Sequence, residues 1–117
     1  MSTLEVHQAA GEDGGDPTIS LVGELDISTA NALETLLSDL SAAGGPRRIV
    51  IDLSGLRFMD STGLRLLVTA DLRLRDGGRE LRLVRGPEPV HRVFRLALLE
   101  ERLRFVDGSE NGNGGSV

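Results

Sequence analysis

The stretch with most chemical potential is Phe58-Met59-Asp60-Ser61-Thr62-Gly63-Leu64, which joins an apolar run to an amphipathic one. A serine at such a junction lies at or beside a helix N-terminus, where backbone N–H groups lack intrahelical partners and the helix dipole is positive. A phosphate carried on Ser61 gains hydrogen bonds and favourable electrostatics there. It also brings a charge of about −1.5 to −2 to a surface that already holds Asp60. A partner surface that touches this helix then meets repulsion and a desolvation cost, and each ~1.4 kcal/mol of cost is about tenfold in affinity. Spacing alone leaves a plainer alternative open, because Asp60, Ser61 and Thr62 are all good N-caps. Asp26 and Asp60 are a second constellation: two loop carboxylates that approach one another act either as an acid/base pair or as separate caps.

Other chemistries lack their residues. There is no cysteine, so disulfides and thiolate chemistry are excluded. The two histidines, His7 and His91, stand in no metal or triad spacing, and a structural or surface role is expected for each. No HExxH, CxxC or GKS-ending phosphate loop is present, and Ser61 sits in Met-Asp-Ser-Thr-Gly instead of the Gly-x-Ser-x-Gly of a hydrolase elbow. The expectation is a protein that is not an enzyme and carries no metal or cofactor. Net charge is −5, with 13 basic residues, all of them arginine, so binding to a nucleic-acid backbone is not expected. No apolar run approaches the ~20 residues of a membrane span, and no secretory signal opens the chain, which reads as cytoplasmic.

The elements that must position these residues follow from periodicity. The 117 residues fit one domain, and 39% hydrophobic content supplies a modest core. Strands are expected at Leu4 to Gln8 and Thr18 to Glu24, joined by the Gly/Asp turn of Ala10 to Pro17. Ser28 reads as the cap of a helix whose buried face is Leu33, Leu36, Leu37 and Leu40 and which stops at Gly44-Gly45-Pro46. Arg48 to Leu53 reads as a strand covered on both faces. A helix from Ser61 to Asp76-Gly77-Gly78 places Leu64, Leu67, Val68 and Leu72 inward and Arg65, Thr69 and Arg73 outward. Leu81 to Val84 is the next strand, and Gly86-Pro87 ends it. A helix follows with Val90, Val93, Phe94 and Ala97 on one face, and a short strand lies near Leu103 to Val106. The order β-β-α-β-α-β-α-β implies an α/β domain over residues 1–106 with a mixed, mostly parallel sheet. Residues 107–117, rich in Gly, Asn and Ser, are expected to be a flexible tail.

The run IVIDLSGLRFMDSTGLRLL, at Ile49 to Leu67, resembles the signature of the STAS domain of bacterial anti-sigma factor antagonists. LVGELDISTANAL, at Leu21 to Leu33, is similar to the same family's GELD segment and first helix, and the resemblance continues through Val90 to Val106. It implies that Ser61, the first serine after Met-Asp, is the phosphoacceptor, with Thr62 as the less favoured acceptor. It further implies a partner-switching cycle. The unphosphorylated protein binds an anti-sigma factor that is also a serine kinase and so frees a sigma factor; phosphorylation releases it, and a serine/threonine phosphatase restores it. The alternative is a constitutive STAS-type scaffold or accessory subunit, for instance of a transport system.

Single positions carry over with that resemblance. Asp26 matches a family residue beside the acceptor, with capping as its plain alternative. Asp60 matches the acidic residue before the acceptor, which caps the helix or is read by the kinase. Gly63 matches a small position that permits close approach of another backbone, and Leu64 follows it in the switch helix. Arg57 and Arg65 flank the switch, either orienting a phosphate or acidic partner groups or simply solvating the surface. One departure stands out: many relatives have Gly near the end of the last helix, and this chain has Leu98, which is expected to lengthen or tilt the helix terminus.

Overall fold

The structure is a computed structural model and describes residues 1–11 and 15–107. The tail expected at 107–117 therefore lies, but for Asp107, outside the described residues. The elements are β1 (Leu4–Ala9), β2 (Thr18–Leu25), α1 (Ala30–Ser41), β3 (Arg48–Met59), α2 (Ser61–Asp76), β4 (Glu80–Val84), α3 (Glu88–Leu96) and β5 (Arg104–Val106). This is the order the sequence implies. Among the described residues no helix is long and apolar enough to cross a membrane.

The five strands form one sheet in the order β1-β2-β3-β4-β5. β1 and β2 pair antiparallel as the hairpin predicted across the Gly/Asp turn, and every later neighbour is parallel. Ile19, Leu21, Ile49, Ile51, Leu53, Leu81 and Leu83 bury one face of the sheet against Leu33 and Leu37 of α1, Leu67 and Leu74 of α2, and Val90 and Phe94 of α3. All three helices thus share a single core. β3 is not sandwiched between helices as its apolar run suggested. Its other face carries Val50, paired across the sheet with Thr18 and Arg82, and Asp52, paired with Ser20 and Val84. Val50 is buried nonetheless, at 5% exposure.

Helix ends differ from the sequence reading for identifiable reasons. α1 is preceded by Thr29, not Ser28, and Ser28 turns its hydroxyl to Asp26. The helix stops at Ser41, before the glycine pair, because the Arg79 guanidinium donates to the carbonyls of Leu40, at 3.3 Å, and of Ser41. A side chain from the residue just before β4 thus satisfies carbonyls that a helix end leaves open. In α2 the inward positions are Gly63, Leu67, Ala70, Asp71 and Leu74, while Leu64 and Val68 are half-buried and Leu72 is exposed. Asp71 is buried with its carboxylate 2.9 Å from Nε of Arg75, one turn on.

α3 buries Val90, His91 and Phe94, and Ala97 lies beyond its end and is exposed. His91 has a structural setting: Nε2 is 2.7 Å from Glu100 Oε2, and the ring meets Phe105 edge-on at 4.8 Å. Leu98 takes up the left-handed conformation itself, with φ of 61°. The helix is therefore neither lengthened nor carried past Leu96; the strain falls on Leu98.

Candidate functional site

The C-terminal ends of the parallel strands β2 and β3 bring Asp26 and Asp60 side by side. Leu25 pairs with Met59, and the amide of Asp60 donates to the Leu25 carbonyl at 3.2 Å. Each chain then turns directly into a helix. This is the usual placement of functional loops on a parallel sheet.

The two carboxylates face different donors. Asp60 is the N-cap of α2, accepting from the amides of Thr62 at 2.9 Å and Gly63 at 3.4 Å, while its carbonyl accepts from Leu64 at 3.1 Å. Asp26 Oδ1 accepts from the Ser28 amide at 2.9 Å and hydroxyl at 2.7 Å, and Oδ2 from the Ser2 hydroxyl at 2.5 Å. These donors, Ser2 foremost and Ser28 next, hold the Asp26 carboxyl at a pKa of about 2. Neither carboxylate serves the other, so the arrangement is two anchors and not an acid/base pair. Both histidines lie elsewhere, His7 in β1 beside Glu5 and His91 on the buried face of α3. Among the described residues no group of three or more acidic, histidine or cysteine side chains could hold a metal ion.

With Asp60 as the cap, Ser61 becomes the first residue of α2 and is exposed. Its hydroxyl is not needed to start the helix. The first-turn amides are also less open than the sequence suggested, since Asp60 already holds two of them. Thr62 is half-buried and lines a trough of about 240 Å³ between α1 and α2, together with Ile27, Arg65, Leu66 and Arg73. Gly63 is buried where a side chain would strike others: a Cβ there would stand 2.7 Å from Met59 Cγ and 2.8 Å from Leu25 Cγ. The close approach expected at Gly63 is real, but the approaching groups are side chains and not a backbone. Leu64 is half-buried against the core.

Three features of the site were missed from sequence. Ile27, next after Asp26, and Phe58, near the end of β3, are exposed apolar residues, at 80% and 49% exposure. Alternation would not have found Phe58: Leu56 and Met59 are both buried although three residues apart, because the pairing with β2 skips Arg57 and shifts the register there. The segment Ser2–Thr3 is laced onto the end of β2: the Thr3 amide donates to Glu24 Oε1 at 2.9 Å and the Glu24 amide to the Thr3 carbonyl at 2.8 Å. Arg57 closes this lattice on Glu24. No short-range pattern signals contacts between residues so far apart in the chain.

The sequence profile of the family described as "Mlab, STAS domain" matches residues 9–106. An anti-sigma-B factor antagonist of Staphylococcus aureus (strain NCTC 8325 / PS 47) is 30% identical over 92 residues, covering 79% of this chain and 84% of that one. The anti-sigma-F factor antagonist RsfB of Mycobacterium tuberculosis (strain CDC 1551 / Oshkosh) is 31% identical over 106 residues, covering 83% of this chain and 86% of the other. Among solved structures, an anti-sigma factor antagonist from Mycobacterium paratuberculosis superimposes with a TM-score of 0.74 at 26% identity, covering 88% of this chain and 85% of that one.

Proposed function

Because the chain belongs to the STAS domain family, we propose that it is an anti-sigma factor antagonist that binds an anti-sigma factor with serine kinase activity and is switched off by phosphorylation of Ser61. The observation that carries this reading is the division of labour at the start of α2. Asp60 does the capping and Ser61 stands exposed beside it, so capping does not account for a serine at that position. Thr62 is the poorer acceptor, being half-buried on the trough side of the helix.

The unmodified protein docks the kinase through the surface around Ser61, to which Asp26, Asp60, Thr62, Gly63 and Leu64 give shape, and a sigma factor is released into the cytoplasm. In the kinase the Ser61 Oγ attacks the γ-phosphorus of the partner's Mg²⁺-bound ATP. Its proton passes to a base of the kinase, and ADP leaves. The phosphate adds about two negative charges beside Asp60 and lowers affinity for the surface that was docked. A metal-dependent serine/threonine phosphatase hydrolyses the ester and restores the docking form.

Mass spectrometry of the protein from its native host tests the reading. A single phosphate on Ser61, absent in Ser61→Ala, is the expected result. An unphosphorylated protein under every growth condition would overturn it and leave a constitutive scaffold.

A further inference from the structure

We propose that the Arg65 guanidinium is the partner of a phosphate on Ser61, and that this pairing withdraws a cation from the wall of the trough between α1 and α2. The inference rests on the phosphorylation reading above and adds how the charge is received.

Three groups near Ser61 could accept a phosphate, and the structure separates them. The Thr62 and Gly63 amides already bind the Asp60 carboxylate. Arg57 is held by Glu24, on the strand side of the junction. Arg65 is exposed and makes no ion pair among the described residues. It stands four residues after Ser61 on α2, the spacing that puts two side chains on one helix face. Helical side chains lean toward the N-terminus, so Arg65 reaches back over Ser61. The order acid first, base four residues later, is the favourable one for such a pair. A phosphate also offers oxygens matching the guanidinium fork.

The unmodified protein has another use for this cation. Arg65 and Arg73 line the α2 side of the trough two turns apart, about 12 Å along the helix, with Glu34 on the α1 side and Ile27 at the same cleft. That wall suits a partner segment carrying carboxylates beside an apolar anchor. A phosphate that engages Arg65 neutralises one of the two cations at the same moment that it adds its own charge.

The test uses the full chain with phosphoserine installed at position 61 by codon suppression, followed by ³¹P NMR titration. The phosphate's second ionisation, ordinarily near pH 6, should fall about half a pH unit lower than in the Arg65→Gln protein. Arg65→Lys should keep part of the shift, and salt at about 1 M should abolish it. Equal midpoints in the parent and Arg65→Gln proteins would overturn the proposal. So would a midpoint that responds to Asp60→Asn and not to Arg65→Gln, because the neighbour that sets the phosphate's ionisation would then be the Asp60 carboxylate and not Arg65. Because Arg65 is exposed, its variants are expected to fold, and circular dichroism of each verifies it. The outcome is independent of whether the host phosphorylates Ser61: a chain never phosphorylated in its host ends the functional reading, while equal midpoints end this one.

Discussion

Replacing Gly63 by alanine sets two opposed effects against each other, and the structure decides their order. In a helix, Gly→Ala is ordinarily stabilising by up to ~1 kcal/mol, because glycine pays more backbone entropy. Here a Cβ would fall 2.7 Å from Met59 Cγ and 2.8 and 2.9 Å from Leu25 Cγ and Cδ2. Carbons rest at about 3.5–4.0 Å, so the overlap is close to 1 Å with each side chain. Leu25 and Met59 are 0% and 2% exposed, so neither can swing into solvent. Overpacking of this kind costs about 1–3 kcal/mol, which outweighs the propensity gain at a first-turn position. The net loss is ~1–2 kcal/mol, or a fall in Tm of roughly 4–8 °C for a domain of this size. Urea and thermal unfolding of Gly63→Ala measure it. A companion Met59→Ala change, which removes the nearest struck atom, should make the double variant lose less than the sum of the single losses. A Gly63→Ala protein as stable as the parent, or more so, would refute the reasoning and reduce Gly63 to an unfavourable helix residue with no packing role.

Other expectations follow from the same geometry. Leu98→Gly should raise stability by up to ~1 kcal/mol in thermal unfolding, since Leu98 has φ of 61° and an 85% exposed side chain, so relieving the left-handed strain sacrifices little packing. Asp60→Ala should cost ~0.5–2 kcal/mol in urea titration by freeing the Thr62 and Gly63 amides, while Asp60→Asn should recover much of that loss. The Asp26 carboxyl is depressed to about 2 from an ordinary 3.8, so its contribution is present above pH 4 and is lost as pH falls through 2. Stability measured between these limits should fall less steeply with acid in Asp26→Asn than in the parent, and parallel curves would exclude the Ser2 and Ser28 hydrogen bonds as its cause.

Periodicity carried the fold well where apolar residues alone mark the buried face, and failed where other residue types occupy it. Ile49, Ile51 and Leu53 could be read as a strand at once, but the run Ile49 to Leu53 does not reveal that Val50 faces a polar row and not a second layer of helices. In α2 the inward stripe runs through Gly63, Ala70 and Asp71, none of which counts as a bulky apolar residue, so a leucine count drew the face one residue off and turned Leu72 inward. Asp71 takes an inward position because Arg75 answers its charge. The end of α1 was set too late because its stop comes from Arg79, 39 residues away from Leu40. At the site, Asp60 and Ser61 were legible as a pair, but which of them caps depends on one residue of register that sequence left open. The second anchor at Asp26 was legible only in part, since Ser2, 24 residues distant, supplies half of it.

That one residue of register determines how a charge on Ser61 can act. Were Ser61 the cap, a phosphate would replace the cap and rebuild the first turn of α2, and the switch would be a change of backbone. With Asp60 in the cap position, the first turn is complete before any modification arrives, and Gly63 is wedged between Met59 and Leu25 immediately beneath it. The backbone at this junction is tied on both sides, by the Asp60 amide to Leu25 and by the Leu64 amide to Asp60. A frame so tied has little freedom to convert a phosphate into a conformational change. What remains to it is the surface, where Ile27, Phe58, Ser61 and Arg65 are all exposed. If Ser61 is phosphorylated as proposed, a rigid face would need no second conformation to lose a partner, because about two misplaced charges at an otherwise unchanged interface already shift affinity by orders of magnitude.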